Sequence, residues 1–221
     1  MPHTKVCEII ENLDVFHHTF YQAAIFNGPS LHFHTRALET RLNCEAFTEA
    51  SYAMLAAWGM HRMGPGVSKM KDFGAYRSSL EEVWDMICEA SQFNISQLHE
   101  AEWLLLKQIF VRLKVMESET SLVGNSKVMA HALPHLIPPV DRQYTLAYLL
   151  GNKNIRNDKE KEWATLRELI SSFFEPVVSN ALFQHQITTW TLDDFPWDTS
   201  PLKIVDNLLI GAIRASMKGK D

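Results

Sequence analysis

Apolar side chains recur every three or four positions through most of this chain, and that period predicts helices. Val6, Ile9, Ile10, Leu13, Phe16 and Phe20 form the stripe of a first amphipathic helix, interrupted at Asn27-Gly28-Pro29-Ser30. A second helix is expected over Leu31–Leu42. A third is expected over Glu45–Met60, with Phe47, Tyr52, Leu55 and Trp58 on its apolar face and a stop at Gly64-Pro65-Gly66. A polar connector, Val67–Arg77, leads to a helix whose start reads as Ser78 with Glu81 at capping-box spacing. Ser96-Gln97-Leu98-His99 opens a long helix to about Met116, and the run Trp103–Leu106 points to deep burial. Shorter helices follow over Lys127–Leu133 and Asp141–Leu150. A longer one runs from Glu160 to about Leu182, with Pro176 kinking or splitting it, and a last one begins at Ser200-Pro201.

No pair of strands and no internal repeat is visible. The expectation is an all-α, multi-helix globular domain covering residues 1–221, with a soft boundary near residues 64–77. Hydrophobic residues make up 46% of the 221, enough for a sizeable core, and 6 Trp and 12 Phe make that core aromatic. The formal charge of −5 argues against non-specific coating of nucleic acid, which needs a dense basic surface. The three cysteines, Cys7, Cys44 and Cys88, form no Cys-x-x-Cys. That sparse set disfavours a zinc knuckle or iron–sulfur cluster and fits a reducing compartment. With no apolar signal core and no long apolar run, no membrane span is expected, and the location is expected to be cytoplasmic or nucleoid-associated. No cofactor is called for.

Two positions carry the candidate chemistry. Leu122-Val123-Gly124-Asn125-Ser126 precedes Lys127, and Pro138-Pro139-Val140 precedes Asp141, 14 residues later. A helix from Lys127 to Pro134 travels roughly 10 Å at ~1.5 Å per residue. The segment 135–140 is long enough to return, at up to ~3.3 Å per residue. Asp141 is therefore able to lie beside Lys127. A lysine in the first turn of a helix, or buried, has its pKa pushed down, and a neutral amine attacks a carbonyl or a sugar carbon. Three readings stand open: amine chemistry, phosphate binding by the amides of Gly124, Asn125 and Ser126, or a structural ion pair with Asp141 as a helix cap.

The segment resembles the helix-hairpin-helix DNA glycosylase superfamily, whose pattern is approximately Leu-Pro-Gly-Val-Gly-x-Lys-Thr-Ala, a helix, then Pro-Val-Asp. Leu122, Gly124, Lys127, Ala130, Pro139, Val140 and Asp141 match in kind. Asn125 or Ser126 stands where the family's second hairpin glycine lies. The resemblance covers about residues 122–142 and implies a helix-hairpin-helix-like element that binds DNA phosphates. It also implies a Schiff-base nucleophile at Lys127, an assisting carboxylate at Asp141, and action on damaged DNA. Arg62, Lys69 and Lys71, in a stretch with few acids, are the expected phosphate-steering residues on an otherwise acidic chain. The alternative is a non-enzymatic helical interaction protein, with Lys127 and Asp141 as a structural pair.

Other constellations are weaker. His17, His18, His32, His34 and His61 would need to converge to hold a metal, and ordinary packing is the plainer reading, so no metal is expected. Asp193, Asp194 and Asp198 surround Trp197 as loop carboxylates. Neither Gly-x-Ser-x-Gly nor His-Glu-x-x-His is present.

Overall fold

The computed structural model describes residues 2–24, 27–62, 69–118 and 120–218. The chain is all-α. Helices α1 (Pro2–Glu11), α2 (Leu13–Ala23), α3 (Pro29–Thr40), α4 (Cys44–Ala57), α5 (Phe73–Ala90) and α6 (Glu100–Arg112) precede α7 (Leu122–Ala132). After it come α8 (Ala147–Leu150), α9 (Lys159–Leu169), α10 (Glu175–Val178), α11 (Ala181–Ile187) and α12 (Pro201–Lys218). Among the described residues there is no strand beyond an isolated antiparallel bridge between Met70 and Met116.

The helix starts follow side-chain caps. Asn43 accepts from the Ala46 amide, Asp158 from Glu160 and Lys161, and Asn180 from Leu182 and Phe183. Several boundaries differ from the sequence expectation. The first stripe is divided at Asn12 into α1 and α2. Helix α5 starts at Phe73 because Asp72 caps it, which leaves Ser78 inside the helix. Helix α6 starts after His99, where the Glu102 carboxylate accepts from the His99 amide at 2.7 Å, and it stops at Arg112. The helix that carries Pro176 closes at Val178, short of the expected Leu182, and α11 begins separately at Ala181. A π-turn at Ile170–Phe174 widens the backbone just before the proline, whose missing N–H interrupts the ladder there. The expected stop at Gly64-Pro65-Gly66 lies outside the described residues.

One cluster of buried side chains runs from Ile9 to Ala212 and includes residues on both sides of the 64–77 connector. Helices α2 and α12 approach closely at Gly211, where an added Cβ would lie 1.9 Å from the Phe16 carbonyl oxygen. That approach requires glycine for space, not for backbone conformation.

Helix α7 lies in the interior and packs against α3, α4, α6 and α9. Several of its buried polar side chains tie it to other elements. The Asn125 amide nitrogen donates to the Phe110 and Leu113 carbonyls at 2.7 and 3.1 Å, which terminates α6 against α7. The Ser126 hydroxyl accepts from the Val140 amide at 3.1 Å and so anchors the Pro-Pro segment. The Ser121 and Leu122 amides at the start of α7 both donate to Glu162 Oε2, at 2.6 and 2.7 Å. The anion at this helix terminus is thus a carboxylate of the chain itself.

Candidate functional site: the Lys127–Asp141 cavity

Helix α7 begins five residues earlier than the sequence reading placed it, which changes the physics of Lys127. The lysine stands in the second turn, not at the positive end of a helix. Its amine is nevertheless held below the usual lysine range, because burial disfavours the ammonium. Asp141 and Asp206 pull in the opposite direction. Only 8% of Lys127 is exposed.

Asp141 is placed by its own capping duty. Its Oδ1 accepts from the Gln143 and Tyr144 amides at 2.7 and 3.3 Å, and its backbone N–H donates to Thr145 Oγ1 at 3.0 Å. The Leu146 amide reaches back to the Asp141 carbonyl, forming a π-turn over Arg142–Leu146 that opens the backbone next to the carboxylate. Oδ2 is left facing Lys127 Nζ at 3.6 Å. That distance is an ion-pair separation but too long for a good direct hydrogen bond.

The two side chains open into a cavity of about 240 Å³. Phe20, Trp58, Tyr144 and Trp197 supply aromatic walls, and Lys203, Asp206 and Arg214 come from α12. Lys127 Nζ lies 5.1 Å from the Trp58 ring centroid. Lys203 Nζ donates to Asp206 Oδ2 at 2.8 Å and also contacts Asn207 Oδ1. Asn207 Nδ2 donates to Asp198 Oδ1 at 2.8 Å, and Asp198 Oδ2 lies 2.7 Å from His17 Nε2. The His17 ring stacks on Trp190 at 3.7 Å. This network ties the Trp197 segment to α2 and α12. Burial raises the Asp206 pKa against the opposing pull of Lys203.

Beneath the lysine runs a second buried chain of polar groups. His131 Nδ1 lies 2.7 Å from the Lys127 carbonyl, His131 Nε2 lies 2.7 Å from His34 Nδ1, and His34 Nε2 lies 2.9 Å from Thr199 Oγ1. A carbonyl only accepts, so His131 Nδ1 carries the proton and donates. His131 Nε2 then accepts from His34 Nδ1–H, and His34 Nε2 accepts from the Thr199 hydroxyl. Both rings are neutral in this chain. Burial accordingly lowers both pKa values, that of His131 to about 4.

Several expected site residues lie elsewhere. Asn125 and Ser126 are fully buried inside α7, and Gly124 packs against Val115 and Met116, so no exposed hairpin loop forms at these three positions. The reason is the early start of α7, whose first amides are taken by Glu162. Arg62, Lys69 and Lys71 do not line the lysine cavity. Lys69, Gly124 and Arg142 line a neighbouring concavity of about 310 Å³, while Lys71 pairs with Glu117 at 2.6 Å. A larger hollow of about 590 Å³ follows α9 and residues 152–156 and holds neither Lys127 nor Asp141.

The histidines take separate partners: His17 has Asp198, His18 has Gln22, His34 has His131, His61 has the Ala56 carbonyl, and His32 lies against Phe33. Among the described residues no three potential metal ligands come together. The acidic residues around Trp197 also separate, since Asp194 bonds Thr191 and Asp198 is buried against His17.

Sequence reading missed Lys203, Asp206 and Arg214 as site residues. Their spacing of three and eight places them along one face of α12, a signal present in the sequence. Compared with protein families, curated proteins and solved structures, the chain matches none.

Proposed function

We propose that the Lys127 cavity is an amine-nucleophile site acting on damaged DNA in the manner of a glycosylase/lyase. The observation that carries this reading is a buried amine with a lowered pKa, 3.6 Å from a carboxylate, opening into an aromatic-walled cavity. The local resemblance of residues 122–142 to the helix-hairpin-helix glycosylases adds the substrate class. The neutral Lys127 amine adds to the C1′ aldehyde of a ring-opened abasic sugar, giving a carbinolamine. Loss of the hydroxyl as water leaves an imine. Asp141 accepts the proton released as the amine adds and returns it to the departing hydroxyl. Removal of a C2′ proton then expels the 3′ phosphate with its bonding electrons, and water hydrolyses the imine to free the amine. Lys69 and Arg142 in the neighbouring concavity, with Arg62 and Lys71 beyond the cavity lining, would take flanking phosphates.

The test is borohydride trapping on a duplex carrying an abasic site. Reduction of the imine leaves a stable secondary amine between protein and DNA. Wild type is expected to give the adduct, and Lys127→Met, which keeps the stem and removes the amine, to give none. Absence of an adduct from wild type refutes the lyase reading. The internal pairing of Lys127 with Asp141 and of Lys203 with Asp206 favours the second reading, a non-enzymatic helical protein in which both pairs are structural. A salt-dependent gel shift separates the two: no shift at low salt leaves only the structural reading.

A further inference from the structure

Two concavities stand apart from the lysine cavity and join each other. One, of about 400 Å³, lies among Arg41 and Leu42 after α3, the end of α5 and the segment that follows α7. The other, of about 490 Å³, lies among residues 93–96, the junction of α10 with α11 and the start of α12. Phe93 and His135 line both, so the two form one continuous groove. Apolar side chains, Ile87, Phe93, Ile95, Leu136 and Leu202 among them, run along it, and Leu42 at one end is 79% exposed. The rim is polar and open to water at Gln92, Asn94, Ser96 and Gln184. The whole chain has 26 acidic against 21 basic residues, yet among the described residues no carboxylate lines the groove. Arg41 is its permanent charge. The Arg41 guanidinium donates to the Leu38 carbonyl at 2.9 Å, and among the described residues no acid pairs with it. Burial, with Arg41 nearby, holds the His135 imidazole below its usual range, so near neutral pH that ring is an uncharged hydrogen-bonding group.

We propose that this groove docks an extended acidic–apolar segment of a partner protein, with a carboxylate on Arg41 and apolar side chains against Phe93. Charge complementarity gives the sign of the partner: an unpaired cation in a groove without acids attracts an anion, on a protein whose net charge otherwise repels one. The rim gives its class. An extended peptide carries an N–H and a C=O on each residue, and these need partners wherever the strand lies against protein. The side-chain amides and hydroxyl along the rim supply them. Alternate side chains of such a strand point to opposite sides, so one set reaches the apolar wall while the other stays in water. An alkyl chain would make no use of the amides and would lie half in water. None of the groove residues lines the lysine cavity, so the proposal is independent of the glycosylase/lyase reading.

The experiment uses the intact protein and two fluorescein-labelled six-residue peptides, one alternating leucine with glutamate and one alternating leucine with lysine. Alternation presents both an apolar and a charged side chain in every register. Fluorescence anisotropy is expected to show the glutamate peptide binding and the lysine peptide binding more weakly. Affinity for the glutamate peptide is expected to fall roughly fivefold in Arg41→Met, the worth of a partly exposed ion pair, and to be partly kept in Arg41→Lys. Cys88 supplies a second readout on wild type, since its exposed thiol lines the groove. Saturating glutamate peptide is expected to slow iodoacetamide alkylation of Cys88 and to leave that of Cys7, which does not line the groove, unchanged. That measurement does not depend on any variant folding. The proposal is overturned if the two peptides bind equally, or if Cys88 reacts at the same rate with and without peptide. It is also overturned if dodecanoate protects Cys88 and the peptide does not, which would mark a lipid site. Protection of Cys88 that grows with protein concentration alone would overturn it too, by assigning the groove to a second copy of the chain.

Discussion

The buried histidine pair makes the protein acid-sensitive in a window set by its geometry. His131 donates to the Lys127 carbonyl and accepts from His34, and burial of both rings opposes a charge on either. In the folded protein the His131 pKa falls from 6.5 to about 4, and that of His34 is lowered as well. The unfolded chain therefore binds more protons than the folded one between those values, and stability falls as pH drops through the window. Above the unfolded value both states are neutral and the contribution is fully present. At ~1.4 kcal/mol per pH unit, His131 alone removes about 2 kcal/mol between about pH 6.5 and about pH 5, and about 3 kcal/mol by pH 4. A domain stability of about 5–15 kcal/mol makes that a substantial share. Glu162 and Asp206, whose pKa values are raised by burial, act with the opposite sign. A comparison is needed to isolate the histidines. Replacing both partners by apolar groups (His34→Leu with His131→Leu) leaves those carboxylates in place and avoids stranding one histidine. Urea unfolding of both proteins near pH 7 and near pH 5, read as ΔG at constant m, is the assay. Wild type is expected to lose about 2 kcal/mol more than the double variant. Equal losses would refute the neutral, directed histidine chain.

Two further outcomes follow from named contacts. Gly211→Ala places a Cβ 1.9 Å from the Phe16 carbonyl oxygen, and backbone cannot yield as a side-chain tip does. A loss of about 3 kcal/mol or more is expected, seen as a Tm drop of roughly 6–12 °C for a chain this long. Glu162→Gln removes the charge that holds the Ser121 and Leu122 amides at the start of α7, and a cost of about 1–2 kcal/mol is expected in urea unfolding. No change there would show that Glu162 is already protonated in the folded protein.

The three-to-four residue period, the Gly28-Pro29 interruption and the Ser200-Pro201 start determined the all-α class and most helix positions, because amphipathic spacing is a local property of the chain. The approach of Lys127 and Asp141 was also within reach, since a short helix and a Pro-Pro return segment bound the distance between its ends. The start of α7 was not, because it depends on Glu162, 40 residues further on, supplying the carboxylate that occupies the first amides. For the same reason Asn125 and Ser126 read as loop residues but serve as buried ties to α6 and the Pro-Pro segment. Burial, not helix position, sets the state of the lysine, and burial is decided by what packs around it. The contribution of α12 to the cavity is likewise tertiary. Lys203, Asp206 and Arg214 share a helix face that any charged surface helix also shows, and only the packing of α12 against α2 turns that face inward.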